Sequence, residues 1–171
     1  MSASAFAFCP RDGSKLALTR IDGRDRPTCT VCGFADFMHV QIGSNAIVER
    51  DGAVLLLKLN YGPGFGHWAL PGGLVENDET TEEAAVRETK EESGFDVALD
   101  GLLAIWMRPG FPILVVTYRA HITGGDLRIA PDEASEAAWF PKAKLPPLEE
   151  IAWPSTAYGL EAWQAYEPPG P

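Results

Sequence analysis

An acidic stretch from Glu76 to Glu92 constrains the fold of this chain more than any other feature. It holds eight acids and two bases, and therefore six of the ten net negative charges of the 171-residue chain. Thr80 followed by Glu83 is a capping-box pattern, which is typical of a helix start, and Gly94 is typical of a helix end. The stretch therefore predicts one helix that begins after Thr80 and ends before Gly94.

Three glutamates in the second half of this helix destabilise it, which is not expected if their only role is to make the helix surface soluble. Glu88, Glu91 and Glu92 are spaced i, i+3 and i+4, so they share one face and repel one another. Negative charge near a helix C-terminus also opposes the helix dipole. Three converging carboxylates suit a hard divalent cation, whereas a solvated acidic face is the ordinary alternative for a run of charges.

Segments rich in β-forming residues surround the predicted helix. The predicted strands and closing helix are Ile42–Arg50 and Ala53–Leu59 around an Asp51-Gly52 turn, Val97–Met107, Pro112–Ile122, Ala137–Phe140, and a helix over Ser155–Tyr166. This order predicts an α/β domain over residues 41–171. Residues 1–40 hold all three cysteines and carry a charge of +1 from five bases and four acids, so they differ from the rest of the chain and are predicted to be a separate small module.

Composition excludes several classes of protein. A net charge of −10 disfavours non-specific binding to nucleic acid, and the longest apolar runs are too short to span a bilayer. Residues Met1–Phe8 lack the basic and apolar parts of a secretory signal, and three closely spaced cysteines argue against a disulfide framework. The sequence therefore predicts a soluble, cytoplasmic protein without nucleic-acid or membrane partners.

The residues of 73–95 resemble the Nudix box, the signature of the Nudix hydrolases. The fixed positions of that pattern are occupied by Gly73, Glu79, Arg87-Glu88, Glu91-Glu92 and Gly94-Phe95, and Thr89 replaces a usual aliphatic residue at a packing position. The resemblance implies an α/β/α sandwich with a mixed sheet over residues 41–171. It also implies a Nudix diphosphohydrolase, an enzyme that cleaves the diphosphate linkage of a nucleoside diphosphate derivative.

The resemblance also implies roles for individual residues of the box. Glu88, Glu91 and Glu92 would bind Mg²⁺ or Mn²⁺, assisted by the carbonyl of Gly72. Arg87 would pair with Glu79 and orient these ligands. The residues alone also allow an ordinary helical ion pair between Arg87 and the glutamate four positions before it.

Many members of the family carry a further glutamate on a loop beyond the sheet, as general base or extra ligand. Glu133 is the favoured candidate here, and Glu91, Glu92 and Glu136 are alternatives for the general base. The predicted catalytic set is Glu79, Arg87, Glu88, Glu91, Glu92 and Glu133. Candidates for substrate binding are three aromatic rings that can stack on a base or flavin and one cation that can meet a phosphate, namely Tyr61, Trp68, Trp106 and Arg108.

The pattern of cysteines resembles the N-terminal zinc ribbon of one Nudix subgroup, which implies a small zinc-ribbon-like β module over residues 1–40. Cys29-x-x-Cys32-Gly33 matches one half of the ribbon, and Cys9-Pro10-Arg11-Asp12-Gly13 resembles the other half with aspartate in place of the second cysteine. Because carboxylates can bind zinc, Cys9, Asp12, Cys29 and Cys32 are predicted to form a closed structural site. His39 as fourth ligand and a degenerate ribbon with three free thiols remain alternatives.

The subgroup that this ribbon resembles contains ADP-ribose and FAD pyrophosphatases. It implies a substrate similar to ADP-ribose, FAD or a nucleotide sugar. One alternative is a house-cleaning hydrolase of modified nucleoside triphosphates. Another, from a different class, is a non-catalytic module that binds a ligand or nucleic acid. Dimerisation is common in the family, so a homodimer is a further open alternative.

Overall fold

The computed structural model describes residues 6–37 and 39–167. The chain divides into two compact units, Met1–Val40 with Pro109–Pro112 and Gln41–Arg108 with Ile113–Pro171. In the described ranges no helix combines the length and the apolar character that crossing a membrane requires. The segment Met1–Phe8 was predicted not to be a secretory signal, and its residues Met1–Ala5 lie outside the described residues.

The smaller unit is built on a β-hairpin between two cysteine-bearing turns. Strands β1 (Ala17–Ile21) and β2 (Arg24–Thr28) pair antiparallel around Asp22-Gly23, whose φ values of 48° and 75° match the turn that favours tight hairpins. The two turns have matching backbone hydrogen bonds: Gly13 donates to the carbonyl of Cys9 at 2.9 Å, and Gly33 donates to that of Cys29 at 3.1 Å.

The larger unit is a seven-stranded mixed sheet with a helix on each face. Its strands are β3 (Gln41–Arg50), β4 (Ala53–Leu59), β5 (Trp68–Ala69), β6 (Gly72–Leu74), β7 (Phe95–Met107), β8 (Ile113–Gly125) and β9 (Ala134–Pro141). Its helices are α1 (Thr81–Ser93) and α2 (Pro154–Ala165), and short 3₁₀ helices lie at Gly62–Gly64 and Leu148–Glu150. The sheet order is β5-β4-β3-β8-β7, with β6 on β3 and β9 on β4. Only β3 and β8 pair in parallel among the described strands.

Helix α1 lies where the capping pattern predicts it. The hydroxyl of Thr80 accepts from the Glu83 backbone at 3.2 Å, and the Glu83 carboxylate accepts from the Thr80 backbone at 2.8 Å. Gly94 ends the helix in the left-handed conformation, with a φ of 79°. Because Glu83 closes this cap, the local alternative of an Arg87–Glu83 pair is not what the structure shows.

The two helices cover opposite faces of the sheet. Ala85 of α1 is fully buried against Val116 and Tyr118, whereas Leu160 and Trp163 of α2 pack in a second cluster with Ile47 of β3. This arrangement confirms the predicted α/β/α sandwich with a mixed sheet. Strand β9 starts three residues before its predicted start, because it pairs with β4 from Ala53 to Leu59 and this pairing extends through two polar positions.

Candidate active site

Two adjacent glycines in β6 allow this strand to approach α1 closely. The φ of Gly72 is +154°, and a Cβ at this position would overlap the side chain of Asn45 and the carbonyl of Ser44. A Cβ on Gly73 would overlap the carboxylate of Glu88. The backbone N–H of Gly72 donates to Oε2 of Glu92 at 2.9 Å. The segment Pro71-Gly72-Gly73, which leads into β6, therefore places backbone groups directly against the acidic face of α1.

Glu92 is the most deeply buried acid of this face, with 5% of its surface exposed. Burial, together with the nearby carboxylates of Glu88, Glu133 and Glu91, raises its pKa to about 8, against the opposing effect of the Gly72 N–H. The carboxylate thus lies in a place where negative charge is poorly compensated by the protein's own groups.

Arg87 lies at the centre of the neighbouring carboxylates. Its guanidinium donates to both oxygens of Glu79 at 2.9 and 2.6 Å, to Glu88 at 2.8 Å and to Glu91 at 3.1 Å. The hydrogen bonds from Arg87, followed by one from a backbone N–H, lower the pKa of Glu79 to about 2. Burial raises the pKa of Glu88, although Arg87 opposes this effect. The predicted Arg87–Glu79 contact is present as a two-point ion pair.

Glu133 is brought to this cluster by the loop that precedes β9. The backbone N–H of Asn60 donates to the Glu133 carbonyl at 2.8 Å, and the Asn60 amide donates to the Pro131 carbonyl at 2.9 Å. Oε2 of Glu133 is buried without a hydrogen-bond partner, and this carboxylate contributes to the raised pKa of Glu88 and of Glu92.

Glu136, the other nearby candidate for the general base, lies within β9 and has a different partner. Glu136 makes an exposed ion pair with Lys58 at 3.6 Å. The structure therefore groups Glu133, and not Glu136, with the acids of α1.

The chemistry of these donors fits a divalent cation with oxygen ligands. Of these acids, Glu88 and Glu91 are paired with the Arg87 guanidinium, which also pairs with Glu79. Glu92 accepts only from a backbone N–H among the contacts described above, and a buried oxygen of Glu133 lacks a partner, so positive charge is deficient here. Their donor atoms are not as close together as those of the cysteine cluster described below, which is the one described group of three or more donors within 4.8 Å of one another.

The candidate substrate-binding residues occupy different environments. Tyr61 is about half exposed, and its pKa is raised by partial burial and by the charges of Glu92, Glu133 and Glu88, so it lies beside the acidic cluster. Trp68 is only 6% exposed and contacts the ring of Phe140 edge-on, with 4.9 Å between centroids. Its position is that of a core residue rather than an open stacking surface.

The two remaining candidates lie near the end of β7, where Trp106 is half-buried and Arg108 is exposed. Asn45 on β3 was not among the residues predicted from the sequence. Its side chain is buried against Gly72, and its amide oxygen lacks a hydrogen-bond partner. The available signal was one amide in the otherwise small or apolar segment Ile42–Val48.

The four predicted zinc ligands converge in the smaller unit. One donor atom from each of Cys9, Asp12, Cys29 and Cys32 lies within 4.8 Å of the others. The Cys9 and Cys32 sulfurs are 3.5 Å apart, and the Cys29 sulfur is 3.3 Å from Oδ2 of Asp12. The three cysteines form no disulfide, and His39 is not part of the cluster. Three thiols and one carboxylate are a donor set that fits tetrahedral zinc.

Comparisons with known proteins agree with this geometry. The NUDIX domain family matches residues 39–160. An ADP-ribose pyrophosphatase of Methanocaldococcus jannaschii is 37% identical over 116 residues, which are 66% of this chain and 68% of the relative. A protein named NAD-capped RNA hydrolase NudC, from Pseudomonas putida, is 28% identical over 143 residues, which are 82% of this chain and 50% of the relative. The crystal structure of a NUDIX hydrolase from Nitrosomonas europaea is similar, with a TM-score of 0.82, 27% identity, and coverage of 94% of this chain and 90% of that one.

Proposed function

Because this chain belongs to the NUDIX family and is a Nudix diphosphohydrolase, we propose that it cleaves the diphosphate linkage of a nucleoside diphosphate derivative similar to ADP-ribose, FAD or a nucleotide sugar. The observation that carries this proposal is the group of buried carboxylates beside Gly72, with raised pKa values and one unpartnered oxygen. A cluster of carboxylates repels an anionic substrate when no cation is bound. It attracts the divalent cations that the binding of an anionic diphosphate requires.

The metal would be Mg²⁺ or Mn²⁺, held by Glu88, Glu91 and Glu92 with the carbonyl of Gly72. When bound, it would neutralise phosphate charge and lower the pKa of the attacking water. Arg87 acts as a positioning residue, because its hydrogen bonds hold Glu88 and Glu91.

Glu133 is our proposed general base. Its buried Oε2 atom accepts no hydrogen bond from the protein beside the acids of α1, so its lone pairs are not engaged and could accept a proton. Glu91 and Glu92 remain alternatives for this role, whereas the ion pair of Glu136 with Lys58 argues against it.

A second candidate substrate is a diphosphate linkage carried at the end of an RNA. The similarity to the protein named NAD-capped RNA hydrolase extends over 143 residues, a longer stretch than that to the ADP-ribose pyrophosphatase. The net charge of −10 favours the small-molecule substrate, because extended contact with an RNA backbone requires a basic surface.

We propose that the cysteine cluster binds one structural zinc ion. The support is the convergence of Cys9, Asp12, Cys29 and Cys32 and the small core available to a unit of about forty residues. A closed four-ligand site has no open position for chemistry, so the ion would stabilise the unit and take no part in hydrolysis.

The decisive experiment is a panel of substrates with Mg²⁺ and identification of the products. ADP-ribose, FAD and nucleotide sugars should each yield two products that carry one phosphate each. A nucleoside monophosphate with pyrophosphate, formed from modified nucleoside triphosphates only, would favour the house-cleaning alternative. Glu91→Gln and Glu92→Gln should each lower turnover by orders of magnitude, and near-normal activity of both would contradict the metal site.

A further inference from the structure

Tyr61 carries a solvent-accessible phenol that has no partner in the protein and lies beside the acidic cluster. The residue belongs to the loop between β4 and β5, and 49% of its surface is exposed. Within residues 6–37 and 39–167 its hydroxyl makes no hydrogen bond. The hydroxyl is therefore open to a ligand, toward which it can act as donor or acceptor.

A series of backbone hydrogen bonds fixes the start of this loop next to the acids. At the end of α1, the carbonyl of Glu92 accepts from the N–H of Ala130 at 3.3 Å. The carbonyl of Ala130 accepts from Glu133 at 3.0 Å, and the carbonyl of Glu133 accepts from Asn60 at 2.8 Å. Tyr61 follows Asn60 directly, so its backbone is held one residue away from a direct contact with the Glu133 loop.

The other end of the loop is fixed against β4. The N–H of Gly66 donates to the Leu59 carbonyl at 2.8 Å, and the N–H of Leu59 donates to the His67 carbonyl at 2.9 Å. Gly64, between these contacts, is packed so closely that a Cβ would overlap the side chains of Leu59 and Trp153. Tyr61 is therefore carried by a constrained backbone, which lowers the entropy cost of using its side chain to bind a ligand.

The phenol lies within the electric field of the same carboxylates. Partial burial, followed by the charges of Glu92, Glu133 and Glu88, raises the pKa of Tyr61 above its ordinary value. The hydroxyl therefore keeps its proton throughout the neutral range. It provides an uncharged hydrogen-bond donor beside a cluster of negative charge.

An uncharged donor at this place is compatible with the binding of both cations and diphosphate. A lysine or arginine here would pair with the carboxylates and compete with the divalent cation. A phenol does not compete in this way, and its O–H can donate to an oxygen that bears negative charge. The non-bridging oxygens of a diphosphate accept hydrogen bonds and do not donate them, so the substrate that this cluster would bind supplies the missing acceptor.

We propose that Tyr61 is a substrate-binding residue whose hydroxyl donates a hydrogen bond to a non-bridging oxygen of the diphosphate. This inference rests on the proposed function. It assigns the contribution of Tyr61 to its hydroxyl, whereas stacking on a base would depend on the ring and not on the hydroxyl.

The test compares removal of the hydroxyl with removal of the whole ring. With the compound of the panel that the wild type hydrolyses best, Tyr61→Phe should lower kcat/KM about 10- to 100-fold, the effect of one hydrogen bond to a charged group. Tyr61→Leu should lose little more. Tyr158→Phe, which removes the hydroxyl of a similarly exposed tyrosine on α2, is the matched control and should stay near the wild type. A Tyr61→Phe enzyme within about 2-fold of the wild type would overturn the proposal, and a loss confined to Tyr61→Leu would indicate stacking instead.

Binding of a diphosphate that carries no nucleoside gives a readout that does not depend on turnover. Imidodiphosphate, in which nitrogen replaces the bridging oxygen, is titrated calorimetrically into the wild type and Tyr61→Phe in the presence of Mg²⁺. The variant should bind this probe about 10-fold more weakly or worse. Equal affinities would overturn the proposal, because the hydroxyl would then contact another part of the substrate.

Stability distinguishes substrate binding from a structural role. Because the phenol has no partner among the described residues, Tyr61→Phe should unfold at the same temperature as the wild type in the absence of substrate. A clear fall in the unfolding temperature would show that the hydroxyl supports the fold and would overturn the proposal.

The outcome for the wild type separates the two levels of inference. If the wild-type enzyme hydrolyses no compound of the panel with Mg²⁺ or Mn²⁺, the proposed function fails, and the role of Tyr61 fails with it. If the wild type is active and Tyr61→Phe is equally active, only the role of Tyr61 is refuted.

Discussion

Replacing Glu92 by glutamine should stabilise the metal-free protein while it abolishes turnover. Glu92 is 5% exposed, and burial, with help from neighbouring carboxylates, raises its pKa from 4.5 to about 8. Glutamine has the same shape and keeps an oxygen that accepts from the Gly72 N–H. The variant therefore removes the charge and leaves the packing and the hydrogen bond in place.

The sign and size of the effect follow from the difference between folded and unfolded pKa. Because the folded pKa is the higher one, the unfolded chain loses this proton first, and the wild type loses stability as the pH rises from about 4.5 through about 8. At 1.36 kcal/mol per pH unit, ionisation of Glu92 in the folded protein costs up to about 5 kcal/mol above pH 8. Relaxation and water penetration lower this cost, so we expect a gain of about 2–5 kcal/mol for Glu92→Gln at pH 8.5 and about 1 kcal/mol at pH 5.5.

Urea unfolding of both proteins in buffer free of Mg²⁺, at pH 5.5 and 8.5, measures these free energies. Glu161→Gln, which neutralises an exposed glutamate of α2, is the matched control and should show neither gain. Added Mg²⁺ should stabilise the wild type more than Glu92→Gln, since the ion binds the folded state through this carboxylate. A variant that is no more stable at pH 8.5, or equally stabilised at both pH values, would refute the reasoning.

Three further predictions address other parts of the molecule. Arg87→Lys should lower kcat at least about 10-fold and raise the Mg²⁺ concentration needed for half-maximal activity, because one ammonium cannot replace a planar fork on three carboxylates; an unchanged metal titration would contradict this. Glu133→Gln should lower kcat by about 10²- to 10⁴-fold and alter the pH–rate profile, whereas Glu136→Gln should stay near the wild type; equal effects of the two would remove the proposed base. Protein purified without added zinc should contain about one equivalent, which Cys29→Ser should lose; a wild-type content below about 0.2 equivalents would favour a ribbon without metal.

The boundaries of helix α1 were predictable from local sequence patterns. Its start at Thr81 and its end at Ser93 depend on contacts within a few residues, namely the Thr80–Glu83 cap and the left-handed Gly94. The hairpin turn at Asp51-Gly52 is local in the same way, and its φ values are 54° and 73°. Such elements were predictable because their stabilising groups are neighbours in the sequence.

The contacts of the candidate site were predictable only in part. The pairing of Arg87 with Glu79 followed from the resemblance to the Nudix box, but its additional hydrogen bonds to Glu88 and Glu91 did not. Trp68 was a candidate for substrate stacking, yet it lies in the core, because β5 places it against Phe140 of β9, 72 residues away in the sequence. Periodicity does not distinguish an aromatic residue of the core from one that faces a ligand.

The sequence by itself determined the acidic helix, the glutamates on one face of it, and the identity of the four donors around the cysteine turns. These follow from spacings of three or four residues, from turn residues and from a specific family pattern. Only the tertiary structure decided that Glu92 is buried, that Glu133 rather than Glu136 joins the acids of α1, and that the amide of Asn45 is left unpartnered beside Gly72. Burial and electrostatic coupling depend on which distant segments meet, and the sheet joins β3, β6 and the loop before β9 across separations of about 30 to 90 residues.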